Sequence, residues 1–188
     1  MKCRRVILLA LLILSSCMLQ KGGRTESAIS RKIENLRNRD IVNAKINPSI
    51  TLDTILKGCP EDTTRFSSSD YVSVTGFLLG VYEETDTFRK LRSKDSIPNN
   101  IQLYIGQSVS AWKDSVFVAE LTKKYILLHP AFDPDVFIGK KINLTGYMMY
   151  NSEAKQLALD ADKKSHKSDR KTAWEICPVT SIKLAEIN

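Results

Sequence analysis

Side chains able to do chemistry are few in this chain. Its 188 residues include two histidines and four cysteines. His129 stands before Pro130, and His166 lies in the lysine-rich run Lys163-Lys164-Ser165-His166-Lys167. Neither has a second histidine four residues away, and no cysteines are spaced Cys-x-x-Cys, so the common zinc-ligand spacings are missing. A Cys177 thiolate joined by one of those histidines could ligate a metal or act as a nucleophile, since the thiolate is the reactive form. A structural cysteine in a strand is the plainer expectation. Glu83, Glu84, Glu120 and Glu175 are candidates for the carboxylate pair that many hydrolases use, but nothing in their spacing brings any two together. There is no Gly-x-Ser-x-Gly elbow, Walker loop or dinucleotide fingerprint. The chain therefore reads as a non-enzyme with no cofactor and no metal. A metal-assisted hydrolase with residues gathered from separate strands is the alternative.

Cys17 carries a clearer chemistry. Met1-Lys2-Cys3-Arg4-Arg5 is basic, and Val6–Leu14 is an unbroken apolar run. That run is shorter than the roughly 20 residues needed to cross a bilayer. A basic start, a short apolar stretch and small residues at a cut site make a secretory signal. Leu14-Ser15-Ser16-Cys17 then looks like a lipobox, in which Ser15 and Ser16 give room to a peptidase and the Cys17 thiol takes the lipid. Residues 1–16 are thus expected to be a signal, and 17–26 a flexible tether containing Gln20-Lys21-Gly22-Gly23-Arg24-Thr25. Several acyl chains on one cysteine hold a protein stably on a membrane. The expected address is the bacterial cell envelope, with the body outside the cytoplasm. Met18 and Leu19 lack the aspartate that often marks inner-membrane retention, which favours the outer membrane.

Cleavage changes the rest of the composition. Loss of Lys2, Arg4 and Arg5 lowers the net charge from +7 to about +4, a mild excess rather than a nucleic-acid signature. Cys59 and Cys177 are the remaining thiols. In an oxidising compartment they form a disulfide or stay as separate thiols, and the sequence leaves both open.

The elements that would position these groups follow from periodicity. Ser27 to Asn43 places Ile29, Ile33 and Leu36 at helical spacing, with Ser27 as a candidate N-cap. Pro48 ends that region, and Ile50, Leu52, Ile55 and Leu56 form a short apolar segment expected to pack on the domain. Residues 27–70 are accordingly a helix and extended segment, with Cys59 to Asp70 a polar turn region. Residues 71–188 read as β. The run Val72-Ser73-Val74-Thr75-Gly76-Phe77-Leu78-Leu79 is matched by Ile142-Asn143-Leu144-Thr145-Gly146-Tyr147-Met148-Met149. A glycine inside a strand marks a bend or bulge, so this pair suggests a coiling sheet. Ile101–Ile105, Val116–Leu121 and Thr172–Ile187 supply three more strands, the last interrupted by Pro178. Five strands with a spacer, Lys123 to Phe137, between the third and fourth resemble an OB-fold. The expected class is mainly β, a small five-stranded OB-like barrel with a short N-terminal helical or extended segment. In that fold the first and fourth strands are neighbours, and the spacer caps the barrel's end.

A closer resemblance lies in Ile50–Leu56 (ITLDTIL), the Gly-Phe and Gly-Tyr strand pair and the final Thr-Ala-Trp-Glu-Ile-Cys-Pro-Val-Thr-Ser-Ile. Together these look like a group of exported bacterial proteins of unsettled activity, whose last strand usually reads Trp-Glu-Ile-His-Pro-Val. The likeness implies an OB-like fold and an envelope address. Cys177 stands here where the group has histidine. Its other histidines, near the second strand and after the fourth, are replaced by Asn100-Ile101-Gln102 and Tyr150-Asn151-Ser152-Glu153.

In OB-folds the connections after the first and fourth strands flank the ligand-binding face. Here the first carries Arg89, Lys90, Arg92 and Lys94, and the second Lys163, Lys164, Lys167, Arg170 and Lys171. Those cations could attract an anionic polymer by charge neutralisation, with Tyr104 and Tyr147 as stacking surfaces. The bland reading is a pair of solvated loops, because Asp86, Asp95, Asp160, Asp162 and Asp169 dilute the same segments. The envelope address points to an anionic envelope polymer or an envelope protein as partner, and away from nucleic acid. Trp112 and Trp174 are expected in core or rim packing.

Overall fold

The computed structural model describes residues 23–41, 44–59, 61–83, 100–111, 116–152 and 170–186, with the backbone alone for 23–28 and 30. The chain divides into two units, Met1–Asn35 and Leu36–Asn188. Helix α1, Gly23–Arg37, makes up the described part of the first and ends just inside the second. It starts within the predicted tether, so Ser27 is an interior residue and not its cap. It also stops before Asn43, because Arg39 leaves the helix to donate hydrogen bonds to backbone carbonyls of the barrel unit, those of Met148 and Cys177 among them.

The second unit is built on five strands: β1 (Tyr71–Glu83), β2 (Asn100–Gly106), β3 (Val116–Thr122), β4 (Lys141–Tyr150) and β5 (Arg170–Leu184). They form a closed barrel in the order β1-β2-β3-β5-β4. Only β3 and β5 run parallel; the other neighbours are antiparallel. This is the OB-like arrangement expected from the sequence. The two matched runs lie side by side, with Val72 opposite Gly146 and Gly76 opposite Ile142.

Their glycines permit close approach. A Cβ on Gly76 would sit 2.6 Å from Ile105 and 2.8 Å from Leu52, and one on Gly146 only 2.4 Å from Ile176. β1 pairs with β4 through its first half and with β2 through its second, so it bends where it changes partner. Pro178 falls at a register shift between β4 and β5, the bulge its missing N–H predicts.

Alternation of side chains across each strand fills the interior with Leu103, Ile105, Phe117, Ala119, Leu121, Leu144, Met148 and Ile176. Helix α2 (Leu52–Leu56) starts at a capping box in which Thr51 and Thr54 satisfy each other's backbone N–H, and it buries Leu52, Ile55 and Leu56. The spacer contains α3 (Lys123–Leu128) and a 3-10 turn, Pro134–Phe137. It lays Tyr125, Phe132 and Phe137 on the core. Trp174 is also in the core, where its indole N–H donates to the Asp62 carbonyl at 2.6 Å. Among the described residues no helix is long and apolar enough to cross a membrane.

Candidate functional site: an outer face running from tyrosines to a buried carboxylate cluster

Because Leu103 and Ile105 face the interior, Gln102 and Tyr104 must face outward from β2. Register then defines two rows on the outer surface. One runs from Tyr82 through Gln102 to Glu120. The other runs from Gly80 through Tyr104 and Val118 to Glu175. The rings of Tyr82 and Tyr104 meet edge to face at 4.7 Å. Tyr82 is 51 % exposed, whereas Glu120 and Glu175 are each 1 % exposed and Cys177 is fully buried. One face thus grades from an open aromatic surface on β1–β2 into a dry, charged cluster on β3–β5.

Within that cluster one carboxylate oxygen each of Glu120 and Glu175 and the Cys177 sulfur lie within 4.8 Å of one another. Each carboxylate has its own guanidinium. Arg37, the last residue of α1, donates from Nη2 to Glu120 Oε2 at 3.2 Å. Its Nε lies 2.9 Å from Oε1, close enough for an ion pair although the N–H is not aimed at that oxygen. Arg170 donates to Glu175 Oε2 at 2.9 Å and to the Thr172 carbonyl at 2.8 Å. Asn151 Nδ2 donates to both oxygens of Glu175, at 3.3 and 3.4 Å.

Arg39 sits beside the cluster. It donates to the carbonyl oxygens of Cys177 at 2.8 Å, Met148 at 3.2 Å and Ser68, and its guanidinium lies 4.3 Å above the Tyr147 ring. Partial burial lowers its pKa from the ordinary arginine value. The Cys177 thiol moves the other way: burial, then Glu120, then Glu175 push its pKa well up, and Arg37 and Arg39 only partly oppose them. A neutral thiol is the result.

That shift fixes the sign of a pH effect. Unfolded cysteine ionises near pH 8.5, while folded Cys177 holds its proton to higher pH. The folded state therefore binds more protons above about pH 8.5, and stability falls as pH rises past that point. Below it, Cys177 contributes no slope. Urea unfolding between pH 7 and 10 in a chelating buffer is expected to show the decline, and Cys177→Ala to flatten it. An unchanged slope in the variant would mean that another group carries the effect.

Several candidates from the sequence land differently. Arg170 is not a loop cation: β5 begins there, earlier than the expected Thr172, and the side chain is committed to Glu175. Tyr147 is not a stacking surface, because it is buried beneath Arg39 and packed 4.9 Å from Tyr71. Tyr104 does lie half-buried on the outer face. Cys59 and Cys177 are separate thiols, the first exposed and the second buried, so the disulfide alternative is not realised. Cys17, Arg89, Lys90, Arg92, Lys94, Trp112, Lys163, Lys164, Lys167 and His166 lie outside the described residues. His129 packs on Tyr125 and is not part of the cluster.

Sequence reading missed Arg37, Arg39 and Asn151, which no motif marks. Glu120 and Glu175 were within reach, because an OB order makes β3 and β5 neighbours and both residues fall on outward positions. The chain matches no family model and no curated protein.

Proposed function

We propose that the protein is a lipid-anchored bacterial envelope protein, tethered through Cys17, whose OB-like barrel is a non-catalytic binding module for an anionic envelope polymer. The observation carrying this reading is the pair of exposed Tyr82 and half-buried Tyr104, with Gln102 beside it, on the outer surface of β1–β2. Small barrels of this topology recognise oligonucleotides and oligosaccharides on that surface. The flanking strands fit as well: β2 begins at Asn100, opposite Thr122, and β5 begins at Arg170, opposite Val116. The segments leading into them hold Arg89, Lys90, Arg92 and Lys94 in one case and Lys163, Lys164 and Lys167 in the other. The strands they lead into, β2 and β5, begin opposite the two ends of β3.

A soluble polyuronic acid is a suitable probe. Binding is expected to weaken steeply with salt, in proportion to the cations engaged. Tyr82→Ala and Tyr104→Ala should each weaken it by about tenfold, equivalent to about 1.4 kcal/mol. Reversing Lys163, Lys164 and Lys167 to Glu should abolish it. Binding indifferent to salt and to these changes, or selective capture of an envelope protein in place of the polymer, would overturn the reading. The anchor has its own test, the mass of the protein from its native host. A diacylglycerol thioether on Cys17 is expected; an intact Met1 or an unmodified thiol at Cys17 would remove the envelope address.

A further inference from the structure

We propose that Glu120, Glu175 and Cys177 form a binding site for a divalent cation of the zinc class, one that ties β3 to β5. The inference stands apart from the polymer-binding reading, since it uses neither the tyrosine pair nor the basic connections.

The geometry comes from the sheet. Glu175 and Cys177 are two apart on β5 and project from the same side, while Glu120 projects beside them from the parallel neighbour β3. Two ligands at i and i+2 on one strand and a third from the next strand make a three-sided set, the number a zinc ion takes from protein when one position stays open. The three ligand atoms lie within 4.8 Å of one another, so a modest contraction brings them around one ion.

A second observation separates this cluster from an ordinary pair of bridged carboxylates. The Cys177 thiol is fully buried, lies within 4.8 Å of an oxygen of each carboxylate, and makes no hydrogen bond through its sulfur among the described residues. An aliphatic residue would fill such a position more cheaply if packing were its only task. A thiolate with two carboxylates selects a borderline ion, because calcium and magnesium take oxygen ligands alone.

A carboxylate has about four lone-pair positions. Arg37 and Arg170 use some of them, and Asn151 braces Glu175 further. Metal-bound carboxylates ordinarily keep such outer donors, which fix their orientation. On binding, the Sγ–H bond is replaced by an Sγ–metal bond and one proton leaves to solvent per ion, so the formal charge of the cluster rises by one unit. The ion would join the barrel where its pairing is briefest. Between β3 and β5 the register covers only Val116–Ala119 against Arg170–Ile176, and Glu120 comes immediately after.

Cobalt(II) is the probe. The full chain, purified in detergent and freed of metal, is titrated with Co²⁺ and followed by thiolate-to-cobalt charge-transfer absorption. The expected result is saturation at one ion per chain and displacement by Zn²⁺ but not by Mg²⁺ or Ca²⁺. The melting temperature should rise with either bound ion. Cys177→Ser and Glu175→Gln should lose the band, and Cys59→Ser should keep it. Should both of the first two fail to fold, Asn151→Ala leaves every ligand in place and is expected to weaken affinity by about 10–100-fold while keeping the band. A folded wild-type chain without the band would overturn the site, as would a band that survives Cys177→Ser or disappears with Cys59→Ser. Polymer binding that persists in the Cys177→Ser chain would show that the two readings fail or stand separately.

Discussion

Replacing Glu175 with alanine is expected to cost about 3–5 kcal/mol of unfolding free energy. The size comes from what is left behind. Arg170 has a side chain only 8 % exposed, and its guanidinium would lose the carboxylate it faces at 2.9 Å. Asn151 would lose the hydrogen bonds it donates to Glu175 in the same step. A buried charge without a partner is far costlier than the missing attraction, since both ions have already given up water. A concerted change, Arg170→Met with Glu175→Leu, is accordingly expected to cost much less than the single one, and to come close to neutral if the pair packs. Urea denaturation in a chelating buffer, with the two variants compared at pH 7, checks this. A loss below about 1 kcal/mol for Glu175→Ala would place the pair in the range of solvated surface bridges.

The second large effect is expected at Gly146. An alanine Cβ there would lie 2.5 Å from the Pro178 carbonyl oxygen and 3.1 Å from the Val179 Cα, besides meeting Ile176 at 2.4 Å. A side-chain methyl can turn away, but the backbone of β5 cannot without breaking its pairing to β4. Gly146→Ala is therefore expected to destabilise by about 3 kcal/mol, the upper range for overpacking. Gly139→Ala serves as the comparison. Its φ of 78° is left-handed, yet nothing lies within 4 Å of the new Cβ, so only a conformational penalty of about 1 kcal/mol applies. Equal losses at the two positions would show that close approach of β4 and β5 is not what Gly146 is for.

The barrel was legible because it rests on short-range periodicity. The twin runs around Gly76 and Gly146 announced two bent strands, and their neighbouring places in the ring followed from topology alone. Limits of elements were less legible. Nothing local to Ser27–Asn43 says that Arg39 will bond carbonyls more than a hundred residues away, at Met148 and Cys177, and that contact decides where α1 stops. The cluster shows the same division. Glu120 and Glu175 each sit on the outward side of a readable strand, but their meeting depends on the parallel β3–β5 joint, which carries no hairpin or motif. Arg170 was misjudged for a related reason. A cation at the end of a lysine-rich stretch looks like loop, and only its partner on β5 reveals it as part of the sheet.

Because the sheet closes on itself, the five strands offer no lateral rim onto which a foreign chain could graft as a sixth. What these five strands present outward is therefore side chains projecting radially from the ring, not an open backbone ladder. The same closure guards the barrel against edge-to-edge pairing with copies of itself. The barrel owes its lack of an edge to one joint between two strands that share a direction.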